Sequence, residues 1–181
     1  MKKLTIAVLA LLLTGFMSCK KDDVVDSNAP CNLASTNVPD ELVGSWVNGY
    51  TSFTNIIDAY DGRILGTTWK SGRYLHMETN GKNAVLYVMG GSQFSEFATK
   101  AEGTVSINEA AGTLSFNVCR AHYRAWSNGA KTVDRDASTN EVEDLTEKLR
   151  FFYSFEFSGG TNWFQLRFDP NGSPTSFRKV D

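Results

Sequence analysis

The chain has 181 residues, of which 41% are hydrophobic, 12% aromatic and 21% charged, and its formal net charge is −2. This composition is typical of a globular protein and excludes a collagen-like, low-complexity or wholly disordered chain. A near-neutral charge without a long basic block leaves little basis for binding nucleic acid by counterion release. The length favours a single folded domain.

Residues 1–18 have the layout of an export signal. Lys2 and Lys3 form a charged start, and an apolar run follows over residues 4–13, interrupted by Thr5. Such a segment addresses the chain for export and does not belong to the fold. The apolar run is also shorter than the roughly 20 residues that a helix needs to cross the hydrocarbon core of a bilayer.

The signal ends in Gly15-Phe16-Met17-Ser18-Cys19, in which a small residue directly precedes a cysteine. This stretch resembles the lipobox of bacterial lipoproteins, although Phe16 stands where that family usually has Leu or another aliphatic residue. The resemblance implies that Cys19 becomes the lipidated first residue of the mature chain. The next residues, Lys20-Lys21-Asp22-Asp23, are similar to the signal of lipoproteins on the outer face of some Gram-negative outer membranes; the alternative is a soluble linker of mixed charge.

Residues 19–40 lack apolar periodicity and contain Pro30 and Pro39, so we expect a flexible tether between the lipidated cysteine and the domain. In an oxidising compartment, Cys31 and Cys119 are able to form a disulfide. That bond would pin the tether to the domain and close a loop of about 88 residues, worth roughly 4 kcal/mol of loop-closure entropy. The alternative is two free thiols, with Cys119 buried as a small hydrophobic residue.

Residues 41–181 alternate short β-prone runs with turn clusters such as Asn80-Gly81 and Asn128-Gly129. This spacing predicts an all-β antiparallel domain, either a barrel or a sandwich. Residues 92–99 and 141–148 have weak helical character, and for the second segment the alternative is a strand that runs from Glu143 to Phe157. The acidic stretch after Asp134 is predicted to be a solvated loop. The predicted strands are residues 45–50, 53–59, 63–68, 73–79, 84–89, 103–107, 113–124, 149–157, 163–168 and 176–180.

Side-chain alternation predicts a bulky apolar interior. Such faces suit the inside of a closed sheet, where eight strands hold either packed side chains or one small ligand. Two predicted strands each place their large apolar residues on one face: Leu114, Phe116 and Val118 in the first, and Phe151, Tyr153, Phe155 and Phe157 in the second.

Gly44-Ser45-Trp46 stands at the head of the first predicted strand. This Gly-x-Trp at the start of a β-rich chain resembles the opening motif of lipocalins and lipocalin-like barrels. The resemblance implies an up-and-down antiparallel β-barrel of about 8–10 strands over residues 41–181. It also implies that Trp46 packs across the closed end beneath a basic residue of the last strand, and Arg178 is the expected residue. The competing fold is a β-sandwich or jelly roll, as in carbohydrate-binding modules.

The densest polar cluster spans residues 119–126. Without a bulge, alternation puts Arg120, His122 and Arg124 on the interior face at the barrel mouth, where they would receive a carboxylate or phosphate head group. In the alternative, these residues lie at the rim in water or pair with Asp134 and Asp136. The candidate ligand contacts are therefore the polar residues and the interior aromatic residues: Arg120, His122, Arg124, Phe116, Tyr153 and Phe155.

No motif in the sequence is diagnostic of catalysis, a cofactor or a metal. The Gly-x-Ser-x-Gly elbow of hydrolases and the glycine-rich phosphate loops are missing. His76 and His122 have no second ligand cluster at a zinc spacing, and the acidic residues after Asp134 lack the order and glycine of an EF-hand loop. We therefore expect no enzymatic activity, no cofactor and no metal site.

Together, these features predict a lipoprotein anchored to the outer membrane through Cys19, facing the cell surface, whose barrel binds a small hydrophobic or amphiphilic ligand. The alternative is a surface module for carbohydrate or protein, with a filled barrel or a sandwich and recognition through loops. An internal cavity favours the first function, and coplanar exposed Trp and Tyr rings favour the second. No nucleic-acid partner and no particular oligomeric state are predicted.

The lipid anchor is tested by Cys19→Ala in the full-length chain, expressed in a Gram-negative host with radiolabelled palmitate. Because the acyl chains attach through this cysteine, we expect the variant to incorporate no label and to remain an unprocessed precursor or leave the membrane fraction. Ser18→Ala, which keeps a small residue before the cysteine, is the matched control. Palmitate labelling of the Cys19 variant would overturn the lipoprotein prediction.

Overall fold

The computed structural model describes residues 31–49, 53–61, 71–92 and 94–180. Within these residues, nine strands form one antiparallel sheet that closes near a ring, and two helices lie between strands. Cys19 and the predicted strand over residues 63–68 lie outside the described residues. The elements are β1 (Gly44–Gly49), α1 (Phe53–Tyr60), β2 (Gly72–Met77), β3 (Ala84–Gly91), β4 (Ser95–Asn108), β5 (Thr113–Ser127), β6 (Ala130–Asp136), α2 (Thr139–Lys148), β7 (Arg150–Ser158), β8 (Thr161–Arg167) and β9 (Thr175–Val180).

The strands follow one another around the ring in chain order, with β6 set outside it. Strand β5 closes the ring, because its full length pairs with β4 and its residues 113–115 pair with residues 150–152 of β7. The second half of β5 instead pairs with β6, which extends the sheet outward as a hairpin. The last link, between β9 and β1, joins the two ends of the domain. The architecture is therefore all-β and barrel-like.

Helix α2 covers the place where β5 and β7 separate. It begins after Ser138, whose side chain accepts a hydrogen bond from the Glu141 backbone N–H, while the Glu141 carboxylate accepts one from the Ser138 N–H. Val142 is buried in the barrel core. Thr146 accepts a hydrogen bond of 3.0 Å from the backbone N–H of Val118. The helix thus satisfies a β5 donor that β7 does not reach. Neither described helix combines the length and apolar character needed to span a bilayer.

Trp46 closes one end of the interior. Its side chain is 2% exposed, and its Nε1 donates a hydrogen bond of 2.9 Å to the carbonyl of Leu42. The ring centroid of Phe164 lies 5.2 Å from that of Trp46. The ammonium of Lys179 lies 5.6 Å from the Trp46 ring centroid, a cation–π arrangement. Gly44 has a φ of +113°, and a Cβ there would lie 3.1 Å from Cε of Lys179, so glycine suits this position.

The prediction that Arg178 covers Trp46 is wrong by one residue. The register pairs Trp46 with Lys179 and Val47 with Arg178. Directly opposed residues in an antiparallel pair share a face of the sheet. Because Val47 packs in the second apolar cluster, on the outer face of the barrel, Arg178 lies on that face too.

Residues 31–36 run along the outer surface of β4 and β5, and Val38 then enters the barrel core. A disulfide joins Cys31 to Cys119 in β5, with a Cα–Cα distance of 5.6 Å. The carbonyl of Ala34 accepts hydrogen bonds of 2.8 Å from the Asn117 amide and 2.5 Å from the Thr104 hydroxyl. This part of the predicted tether is therefore held against the barrel.

The structure tests four of the locally predicted elements. The helix predicted over residues 141–148 is confirmed as α2. The strand predicted over residues 53–59 is wrong, because Ile56 and Tyr60, four residues apart, pack one helical face onto the sheet. The helix predicted over residues 92–99 is also wrong, because its second half pairs with β3 as part of β4. The loop predicted after Asp134 is wrong at its start, since β6 extends to Asp136.

Removing the disulfide should destabilise the domain. The bond spans 88 positions of sequence, so we expect Cys119→Ala to lower the free energy of unfolding by about 2–4 kcal/mol in urea titrations. Cys31→Ala should cost the same, and the double variant no more, because all three remove one bond. Losses that add, or no loss under oxidising conditions, would contradict this assignment.

Candidate functional site

An apolar cavity of about 230 Å³ lies inside the barrel. Six strands or their flanking residues form its wall, so no single hairpin creates it. Its lining combines ten apolar side chains with two polar ones: Leu75, Leu86, Val88, Leu114, Phe116, Leu149, Phe151, Leu166, Phe168 and Phe177, with Arg73 and Thr175. Among the described residues, this lining contains no carboxylate, histidine or cysteine.

The cavity lies beside an aromatic cluster at the Trp46 end of the interior. In that cluster, the aromatic ring of Phe164 contacts those of Tyr153 and Phe155, with centroids 6.4 and 5.7 Å away. The cavity itself lies between aliphatic side chains of β2 and β3 and the rings of Phe116 and Phe151. The interior of an eight-stranded barrel has room either for packed side chains or for one small ligand.

The volume is suited to one small ligand. An engineered protein cavity of about 150 Å³ binds benzene. On that scale, 230 Å³ accommodates roughly nine non-hydrogen atoms. The cavity therefore fits a compact aromatic molecule, a short acyl chain, or the end of a longer chain.

The mouth of the cavity has one polar and one aromatic side. Arg73, at the start of β2, is exposed, and its Nη1 donates a hydrogen bond of 3.3 Å to Oδ1 of Asn48. Asn48 in turn donates a hydrogen bond of 2.9 Å to the carbonyl of Ser176. Across the ring from β2, Phe151 of β7 contacts Phe168, with ring centroids 4.9 Å apart. Phe168 is 69% exposed.

A β-bulge turns the predicted polar cluster to the outside of the barrel. Gly103 of β4 pairs with Val118 of β5, whereas the preceding Glu102 pairs with Arg120. Cys119 is therefore an extra residue in β5, and such a residue inverts the alternation that follows it.

The inversion is visible in the residues that follow the bulge. Ala121 belongs to the core, and Tyr123 packs against it. Arg120, His122 and Arg124 consequently lie on the outer face. The interior position predicted for these three residues from unbroken alternation is wrong.

The outer cluster has largely the alternative arrangement: His122 and Arg124 pair with aspartates of β6, whereas Arg120 pairs with Glu102 of β4. His122 contacts Asp136 through Nδ1 at 2.7 Å and Asp134 through Nε2 at 2.8 Å. Arg124 Nε lies 3.0 Å from Asp134 Oδ1. Hydrogen bonds from Lys131, His122 and Arg124 hold the pKa of Asp134 well below its usual range. Within the described part of the chain, no three His, Cys, Asp or Glu residues are grouped to hold a metal ion.

The predicted aromatic contacts divide between the two ends of the barrel. Phe116 lines the cavity, whereas Tyr153 and Phe155 pack at the Trp46 end and do not line it. Arg73 was missed by the sequence analysis. The sequence feature that could have identified Arg73 is its position, because it shares a strand face with Leu75 at the start of β2. Comparisons with known protein families, with curated proteins and with solved structures found no match to this chain.

Proposed function

We propose that this chain is a lipid-anchored cell-envelope lipoprotein whose lipocalin-like barrel binds one small hydrophobic or amphiphilic molecule in its interior. The observation that carries the proposal is the apolar cavity of about 230 Å³. Burial of an apolar surface is worth about 25 cal/mol per Å². A ligand body that fills the cavity gains this term without unfolding any element of the barrel.

Three features support the lipocalin-like assignment. The strands succeed one another around the ring in chain order, as in an up-and-down barrel. Gly44-Ser45-Trp46 opens the first strand, and Trp46 closes one end of the interior. A basic residue of the last strand, Lys179, lies over the indole.

The disulfide supports export from the cytoplasm. Disulfides persist in oxidising compartments and are rare in the cytosol. The Cys31–Cys119 bond therefore agrees with the export signal over residues 1–18 and with lipidation at Cys19. An anchor on the outer membrane, facing the cell surface, would expose the barrel to molecules from the surroundings.

The alternative surface module has less support. It requires coplanar exposed aromatic rings, but Tyr74 and Trp126 are buried in the second apolar cluster and Tyr123 packs against the barrel core. Trp163 is partly exposed. Trp69 lies outside the described residues. A filled interior would also favour the module, and the cavity argues against one.

Filling the cavity should weaken binding. Val88 of β3 lines the cavity, and Val85 alternates with it on the outer face of the same strand. We expect Val88→Trp to weaken binding of octanol, a neutral probe, by about tenfold or more in calorimetric titrations. Val88→Phe should give a smaller loss, and Val85→Trp is the matched control.

Thermal unfolding of each variant checks that the barrel is folded. Native mass spectrometry of the wild-type domain purified from cells identifies any co-purifying small molecule. Equal octanol binding by the wild type and folded Val88 variants, or no binding by the wild type, would count against the proposed function.

A further inference from the structure

We infer that the ligand is an anionic amphiphile, a monocarboxylate with a compact apolar body, and that Arg73 at the cavity mouth holds its head group. This inference rests on the proposed function, because it names the ligand class for the same cavity. It assigns the head-group contact to a residue outside the cluster Arg120, His122 and Arg124, which the bulge at Cys119 excludes from the interior.

The position of Arg73 places a charge at the boundary between the cavity and water. It follows Gly72 at the start of β2 and shares a strand face with Leu75, which lies deeper in the cavity wall. Arg73 is exposed, so its guanidinium stays hydrated when the cavity holds no ligand. An arginine can lay its apolar stem along a wall while its charged end remains in water.

Most N–H donors of the Arg73 guanidinium have no partner among the described residues. An arginine carries five N–H donors. Among the described residues, Asn48 receives one of them at 3.3 Å, and no carboxylate forms an ion pair with Arg73. By contrast, Arg120, Arg124 and Arg135 pair with Glu102, Asp134 and Glu141.

Other arginines also lack an ion pair among the described residues. Arg73 differs from them in its location at the mouth of the cavity. Arg150 and Arg178 also form no ion pair with the described residues, yet strand alternation puts both on the outer face of the barrel. Arg73 is the one arginine in the described lining of the cavity. A carboxylate at the mouth can accept two parallel N–H bonds from its guanidinium, the geometry that arginine offers best.

Neighbouring groups orient a head group at Arg73. Asn48 holds the guanidinium and is itself held by the Ser176 carbonyl at 2.9 Å. The Thr175 side chain lines the cavity on β9, and β1 alone lies between β9 and β2. Arg73, Asn48 and Thr175 thus form a polar arc over three adjacent strands. A carboxylate on this arc directs its apolar body towards Phe116 and Phe151.

The cavity volume limits the apolar body. At roughly nine non-hydrogen atoms, it corresponds to a medium-chain fatty acid or an aromatic carboxylate. A longer fatty acid would leave part of its chain at the mouth beside the exposed Phe168. A neutral alcohol of equal length would fill the cavity but form no charge-assisted bond, and an amine would be repelled.

The test compares octanoate, octanol and octylamine by calorimetry at pH 7.5 on the disulfide-bonded domain. We expect octanoate to bind about tenfold more tightly than octanol, and octylamine to bind most weakly. Arg73→Met, which keeps an apolar stem, should lower the ratio of octanoate to octanol affinity to about one. Arg73→Lys should retain part of the preference. Arg150→Met, with the same change in net charge on the outer face, should retain all of it.

The outcomes separate the two proposals. If octanol binds but octanoate has no advantage, or if Arg73→Met leaves the advantage intact, the inference is overturned and the proposed function stands. If no probe binds the wild type, the proposed function fails. Should Arg73→Met not fold, the wild-type ratio of octanoate to octanol affinity and its decrease with added NaCl decide the matter, because a salt-independent ratio of one overturns the inference.

Discussion

One extra residue in β5 determines what the barrel encloses. At Cys119, two residues of β5 oppose one residue of β4, so every later side chain of β5 changes face. Arg120, His122 and Arg124 leave the interior, and Ala121 and Tyr123 take their places against the core. Burying two guanidiniums without partners would be costly, whereas on the outer face they pair with Glu102 and Asp134. The interior is left almost wholly apolar. Cys119 also forms the disulfide that holds residues 31–36 on the barrel wall.

The rest of the interior consists of an aromatic cluster and a cavity beside it. Aromatic rings around Trp46 fill the closed end, and Lys179 covers the indole there. The cavity lies between aliphatic residues of β2 and β3 and the rings of Phe116 and Phe151, and Arg73 lies at its mouth. Helix α2 covers the separation of β5 from β7, which would otherwise open the barrel wall. Our proposal that the barrel binds an amphiphile rests on this combination of a closed base, a free apolar volume and a charged mouth.

Patterns with a strong local signal were predictable from the sequence. Alternation located most strands, and the face shared by Leu114 and Phe116 was correct up to the bulge. Features set by tertiary context were not. The bulge at Cys119 is marked by Gly103 of β4, where a Cβ would lie 2.0 Å from the Asn117 carbonyl oxygen, but this mark is readable only once the β4–β5 register is known. Lys179 and Arg178 are adjacent basic residues, so the choice between them depends on a register that only the paired strands define. Residues 53–60 have the composition of a strand, yet packing of Ile56 and Tyr60 on the sheet makes them helical. Arg73 could not be singled out from the sequence, because the cavity that it lines is formed by twelve residues that are far apart in the chain.

The central claim is that the barrel encloses an apolar cavity from which the basic residues of β5 are excluded. Xenon occupies dry apolar cavities, so a crystal structure of the disulfide-bonded domain under xenon pressure tests both parts at once. The account predicts xenon density between Leu75, Leu86 and Phe116, with Arg120 and His122 on the outer face. An interior filled by side chains and free of xenon, or His122 facing the interior, would contradict it.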